Sequence, residues 1–230
     1  MSQIEGTVVQ APAGVIGFDT TEVLNAVSAK NYLNKGYKFC VRYIGRGSGK
    51  SNFVDITQSE AQTIVDTGLA LMIVQHPLAS GWVPTARMGS EFGNYAALAA
   101  GKAGLLPGMN IWLDLEGVKD GASSNDVIAY CNAWFAEVEK LGFESGIYIG
   151  ASPGLTADQL YWDIKTKHYW KGGSSSKAGV PDDIPNRGYQ LVQRISNPGT
   201  PSEFDSNVTR TDAFGSGVMW IASSEASAIA

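Results

Sequence analysis

Cysteine is scarce: Cys40 and Cys131 are the only two in 230 residues. Their settings, Phe39-Cys40-Val41 and Tyr130-Cys131-Asn132, read as reduced core thiols, because Cys is among the most buried residue types. No C-x-x-C pair and no metal-ligand spacing occurs. The two histidines, His76 and His168, lie far apart in the sequence. Charge is scarce too, at 17% of residues against 44% hydrophobic, a balance that argues for a full core and against disorder. The net charge of −5 comes with no basic block, so the electrostatic footprint of a nucleic-acid binder is missing. No segment approaches ~18 uninterrupted apolar residues, and no membrane-spanning helix is expected. A charged stretch followed by an apolar run is also missing from the N-terminus. The chain is therefore expected to be made in the cytoplasm without a signal peptide, and to be exported or released by a non-classical route if it acts outside the cell.

What is present is an alternation of strand and helix signals. Val15 to Phe18 is a first apolar strand ending at Asp19, with Thr20 or Thr21 placed to cap a helix carrying Val23, Leu24, Val27 and Tyr32. Tyr37 to Ile44 reads as a second strand, and Thr57-Gln58-Ser59-Glu60 matches a capping box that opens the next helix. Further strands are expected at Leu69 to Val74, Asn110 to Leu115, Gly146 to Ile149, His168 to Trp170, Tyr189 to Ile195 and Glu203 to Val208, with a terminal one at Val218 to Ile221. Helices are expected from about Thr85 to Ala103, after Ser123 and at Leu155 to Trp162. Such alternation means parallel strands joined by crossover helices. Seven or eight strands in about 220 residues favour a TIM-like (β/α)8 barrel, with room for irregular last units, over a doubly wound sheet. The first strand-to-helix turn, Asp19-Thr20-Thr21-Glu22, also lacks the glycines of a dinucleotide fold. Residues 1–13 read as a lead-in, 14–222 as one barrel domain and 223–230 as a flexible tail.

The most informative stretch is Asn110-Ile111-Trp112-Leu113-Asp114-Leu115-Glu116-Gly117. Side chains alternate along a strand, so Asp114 and Glu116 share one face with Cα atoms about 6.5 Å apart. A strand that has simply reached solvent would also end in acids. Two nearby carboxyls, however, can titrate apart, one neutral and one ionised, which suits acid/base work on a glycosidic bond. Reactive groups of a barrel project from strand ends. Collected there are Asp19, Arg42, Tyr43, Gln75, His76, Asp114, Glu116, Tyr148, Trp170, Gln193, Arg194, Asp205 and Asn207. Aromatic rings stack on apolar sugar faces, while carboxylates and amides bind hydroxyls. Of the two tryptophans Trp162 and Trp170, the second is assigned to the cleft and the first to packing.

Gly17-Phe18-Asp19, Arg42-Tyr43-Ile44, Leu113-Asp114-Leu115-Glu116, Gly146-Ile147-Tyr148 and Phe204-Asp205-Ser206-Asn207, in that order over about residues 14–210, resemble the glycoside-hydrolase-like domain family DUF1906, a relative of the GH25 lysozymes. The resemblance implies a TIM-like barrel with Glu116 as general acid and Asp114 positioning or stabilising the reacting sugar. It also implies that Asp19 and Asp205 complete an acidic floor lined by Tyr148. GH25-type enzymes cleave the β-1,4 bond after N-acetylmuramic acid in peptidoglycan. The expected function is hence lysozyme-like hydrolysis of peptidoglycan or a related amino-sugar polymer, with no metal or organic cofactor. Arg42, Tyr43, Gln75, Trp170, Gln193 and Asn207 are candidate substrate-binding residues. The alternative is a non-catalytic glycan-binding or structural module within a secreted or injected assembly of partner proteins, since a fold does not fix a function. A sugar-phosphate enzyme is a weaker option, with Arg194 its one strand-end anion ligand. The Gly45 to Ser51 segment is one residue short of a phosphate loop and reads as a rim loop.

Overall fold

The computed structural model describes residues 2–47, 54–173, 178–194 and 205–224. Eight strands close into a barrel: β2 (Ile16–Thr20), β3 (Phe39–Ile44), β4 (Ala70–Gln75), β5 (Asn110–Leu115), β6 (Glu144–Ile149), β7 (His168–Lys171), β8 (Leu191–Arg194) and β9 (Asp205–Thr209), with β9 returning to β2. Pairing is parallel from β2 round to β8. β9 alone in the barrel runs antiparallel to both its neighbours, which is the irregularity of the last units. The short β1 (Thr7–Gln10) pairs with β10 (Met219–Ala222), and β10 touches β4 through Ile221 and Leu71. The backbone N–H of Met219 donates to Oδ1 of Asn110 on β5 at 2.6 Å. This two-stranded pair thus enters below the point where β4 and β5 pair, Ile73 to Gln75 against Ile111 to Leu113. Residues 7–10, read from the sequence as lead-in, are part of the sheet. Glu203, Phe204, Ile195 and most of the expected tail lie outside the described residues.

Among the described residues five helices flank the barrel: α1 (Ala26–Asn34), α2 (Gln58–Thr67), α3 (Ala86–Lys102), α4 (Ser124–Lys140) and α5 (Ala157–Trp162). Among the described residues no helix is long and apolar enough to cross a membrane. The alanine-rich α3 exists to lie close to α4. A methyl group at Gly93 would come 2.9 Å from Cα of Trp134, and Gly89 and Ala96, Ala97 and Ala100 are buried along the same helix.

Two local expectations are corrected. Asn25, not Thr20 or Thr21, caps α1, accepting from the N–H groups of Val27 and Ser28. Thr20 remains in β2, and its Oγ1 accepts from Glu22 N. Val23 and Val27 consequently face solvent, at 54% and 69% exposure. The Thr57–Glu60 capping box is half formed. Thr57 accepts from Glu60 N, but the Glu60 carboxylate turns inward to Arg42 and to the N–H of Leu24.

Alternation sorts each strand into an inner and an outer face. On β5, Ile111, Leu113 and Leu115 pack outward, while Trp112 and Asp114 point into the barrel. Trp112 meets Trp170 there, with ring centroids 5.6 Å apart, and Trp170 meets Tyr148 at 4.8 Å. These rings fill the barrel interior below the mouth. Cys40 and Cys131 are buried free thiols, and burial raises both pKa values.

Candidate active site

The C-terminal ends of the parallel strands deliver Asp19, Tyr43, Asp114 and Tyr148 to one mouth, and Glu116 follows one residue past β5. Because β9 is antiparallel, it is its first residue, Asp205, that reaches the same rim. Asp205 lies directly across from Asp19 in the β2–β9 register, and Asn207 across from Gly17.

Gln193 organises this half of the rim. Its Nε2 donates to Oδ2 of Asp19 and to Oδ2 of Asp205, both at 3.1 Å. Its Oε1 accepts from Tyr148 Oη at 2.9 Å and from Gly173 N at 2.8 Å. Asn207 Nδ2 donates to the same Asp19 Oδ2 at 2.6 Å, and Tyr43 Oη to Oδ1 at 3.3 Å. Burial pushes the Asp19 pKa up to about 7, while its three donors pull it down. Two adjacent like charges would repel; the shared amide of Gln193 is what lets Asp19 and Asp205 sit side by side.

Across the mouth, Asp114 is buried with Oδ1 lacking any hydrogen-bond partner. Burial, then the Glu116 and Asp19 charges, hold its pKa well above the carboxylate range. Glu116 is half-buried, and burial followed by the Asp205 charge raises its pKa as well. Its side chain lies over Gly150, where a methyl group would come 2.7 Å from Glu116 Cβ and 2.9 Å from Tyr148 Cε1. Its backbone oxygen accepts from Trp82 Nε1 at 2.8 Å, and Gly117 then turns the chain away at φ +65°. The mouth therefore presents carboxyl groups that stay protonated at higher pH than free ones, beside aromatic and amide side chains. Among the described residues no group of three or more His, Cys, Asp or Glu is arranged to hold a metal ion.

Three expected substrate contacts do not reach the mouth. Arg42 faces outward from β3 and is wholly buried; its Nε pairs with Glu60 Oε1 at 2.6 Å, and its other nitrogens meet carbonyls of Thr20 and Val54 at 3.3 Å. Gln75 faces outward from β4 under α3 and α4, donating to the carbonyls of Phe92 and Gly45 and accepting from Trp134 Nε1 at 2.6 Å. Trp170 points inward but lies wholly buried in the core below the acids. Residue parity decides the first two, since each neighbours a residue on the opposite face; depth in the barrel decides Trp170. Trp162, assigned to packing, is instead 70% exposed on α5.

The Rv2525c-like, glycoside hydrolase-like domain profile matches residues 30–209. The chain belongs to this family. Solved structures of the same fold include an uncharacterized protein of B. stearothermophilus (TM-score 0.63, 17% identity, 86% of this chain and 96% of that one). The Tat-secreted protein Rv2525c of Mycobacterium tuberculosis, solved with L-tartrate, superposes with a TM-score of 0.59 at 18% identity over 89% and 99% of the two chains. A muramidase from Acremonium alcalophilum superposes at 0.56 with 16% identity over 87% and 95%. At these identities the likeness is one of fold. No curated protein sequence matches the chain.

Relative to the residues that carry the family resemblance, two neighbours of the acids went unnoticed in the sequence. Arg46, two residues past β3, donates to the carbonyl of His76 at 3.3 Å and is the cation whose charge lowers the Asp114 pKa. Trp82 anchors the turn after β5 through its bond to Glu116 and its bridge to Val118. Arg46 stands inside a glycine-rich run that reads as loop, and Trp82 has no periodic partner, so neither announces itself.

Proposed function

We propose that this domain is a glycoside hydrolase acting on peptidoglycan or a related amino-sugar polymer, with Glu116 as general acid and Asp114 orienting the substrate. The observation that carries the reading is the pairing of a half-buried carboxyl of raised pKa, Glu116, with a buried carboxyl whose Oδ1 has no partner, Asp114. A protonated Glu116 gives its proton to the glycosidic oxygen as the C1–O bond breaks. The acetamido oxygen of the substrate closes on C1, and the unpartnered Asp114 Oδ1 accepts from the acetamido N–H and so orients that group. Water then opens that ring while Glu116 takes back a proton, a substrate-assisted variant of the two-carboxylate scheme. Asp19 and Asp205, tied together by Gln193, complete the floor. Tyr148 and Tyr43 offer ring surface and hydroxyls to the sugar. Muramidases among the proteins of like fold support the substrate class.

The test is release of reducing ends from purified peptidoglycan and from chitin oligosaccharides, with wild type and Glu116→Gln side by side. The expected result is turnover that the variant loses by about 10²–10⁴-fold with its circular dichroism unchanged. Equal turnover by both proteins would remove Glu116 from the mechanism. Binding by both without turnover would establish a glycan-binding module instead.

A further inference from the structure

In a (β/α) barrel the outer face of each strand is covered by the helix that follows it. Among the described residues no helix follows β7, β8 or β9. The described residues between β7 and β8 form only turns and bends, and β9 comes back antiparallel. A cavity of about 630 Å³ opens there, within the range of small-ligand sites. Its lining carries three cations, Lys171, Arg194 and Arg210, together with Asp182, Asp183 and Tyr189. Lys171 is already engaged: its Nζ donates to the Asp182 carbonyl at 2.8 Å, pairs with the Asp182 carboxylate at 3.3 Å and lies over the Tyr189 ring. Arg194 and Arg210 form no ion pair among the described residues, although the chain as a whole is acidic. Gln193, whose side chain bridges Asp19 and Asp205, is also among the residues that line it.

We propose that this cavity is a subsite for the carboxylate-bearing peptide branch of the amino-sugar polymer whose glycan strand occupies the mouth. The proposal rests on the glycan reading above. Guanidinium forks match carboxylates in shape and charge. Asp183 in the same lining suits an ammonium group, Asp182 being taken by Lys171, so the site fits a short zwitterionic peptide better than a simple anion. Gln193 sits where a branch leaving the glycan strand would turn from mouth to cavity.

The experiment uses Glu116→Gln protein, so that no ligand is consumed, and calorimetry with three soluble probes: a peptidoglycan disaccharide bearing its peptide, the same disaccharide without peptide, and the free peptide. The peptide-bearing disaccharide should bind about tenfold more tightly than the bare one, the gain expected from two partly exposed charge contacts. Adding Arg194→Ala and Arg210→Ala should bring that ratio to one, and raised salt should shrink it. Equal binding of both disaccharides, or a ratio that survives loss of both arginines, overturns the subsite while leaving the glycan reading intact. Failure of both disaccharides to bind, with or without binding of the free peptide, overturns the glycan reading and the subsite together.

Discussion

On the β2, β8 and β9 side of the barrel mouth, the buried carboxylate of Asp19 accepts from Asn207, Gln193 and Tyr43; on β5, the equally buried Asp114 keeps an oxygen that accepts from nothing. Both residues are 5% exposed, so burial does not separate them. Wiring does. A carboxylate held by several donors is fixed in place and serves the scaffold, whereas an unpaired buried oxygen costs about 1–3 kcal/mol and is retained where a ligand completes it. Glu60 takes the wired condition furthest, with Arg42 and the Leu24 N–H on its oxygens and side-chain exposure of 3%. The contrast suggests which acids do chemistry and which hold the chemistry in register.

The largest effect should come from the fully wired pair. Arg42→Met strands the Glu60 carboxylate in the protein interior and should cost about 3–5 kcal/mol in urea unfolding. Glycan binding by the fraction that remains folded should be unchanged. A stability loss under about 1 kcal/mol coupled to lost binding would return Arg42 to the cleft and undo the comparison. Next comes a matched truncation. Asp19→Ala leaves two amide donors and a phenol without their acceptor, and should destabilise by about 2–3 kcal/mol more than Asp114→Ala, which removes an oxygen that already lacked a partner. Equal losses would mean that wiring is irrelevant to the two roles.

A smaller effect bears on the unwired side. Gly150→Ala sets a methyl against Glu116 Cβ and Tyr148 Cε1, and Glu116 must swing away. Turnover on peptidoglycan should fall about tenfold, with little change in melting temperature. Unchanged turnover would show that the carboxyl reaches its substrate from another rotamer.

The order of strands and helices was legible because each element carries its own period, and so was the D-x-E pair, whose two acids fall on one face of β5. Asp205 was placed at the rim for an incomplete reason. The sequence pattern suggests one more parallel strand, while the antiparallel run of β9 is what brings its first residue, rather than its last, to the mouth. Arg42, Gln75 and Trp170 failed on facing and depth. A strand-end position is readable along the chain, but which side of a closed barrel it faces depends on its register against neighbouring strands, and the depth of Trp170 depends on the rings of Trp112 and Tyr148 packed edge-on around it. The hydrogen-bond web of Gln193 joins residues up to 174 positions apart, and no local pattern announces it.

The smallest effect, taken per pH unit, reads the same comparison through protons. Burial raises the Asp19 pKa from 3.8 to about 7 in the folded chain. Between those values the native state holds a proton that the unfolded state has released, so the stability contributed by Asp19 is fully present below pH 3.8 and is lost as pH rises through about 7. Glu116, Asp205 and Asp114 act in the same direction. His168, lowered from 6.5 to about 4, acts oppositely over most of the window, and His76, also lowered, acts with it. The contribution of Asp19 is therefore isolated as a difference. The stability of wild type minus that of Asp19→Asn should fall by about 1 kcal/mol per pH unit between pH 4 and 7, below the one-proton ceiling of about 1.4. Asn suits this test because its carbonyl can still accept from Asn207 and Gln193, while its amide can donate to a rotated Tyr43 hydroxyl. A flat difference would mean that three donors outweigh burial and keep Asp19 ionised throughout. The two sides of the mouth would then differ in charge as well as in wiring, with Asp19 a fixed anion and the β5 acids the groups that carry the proton.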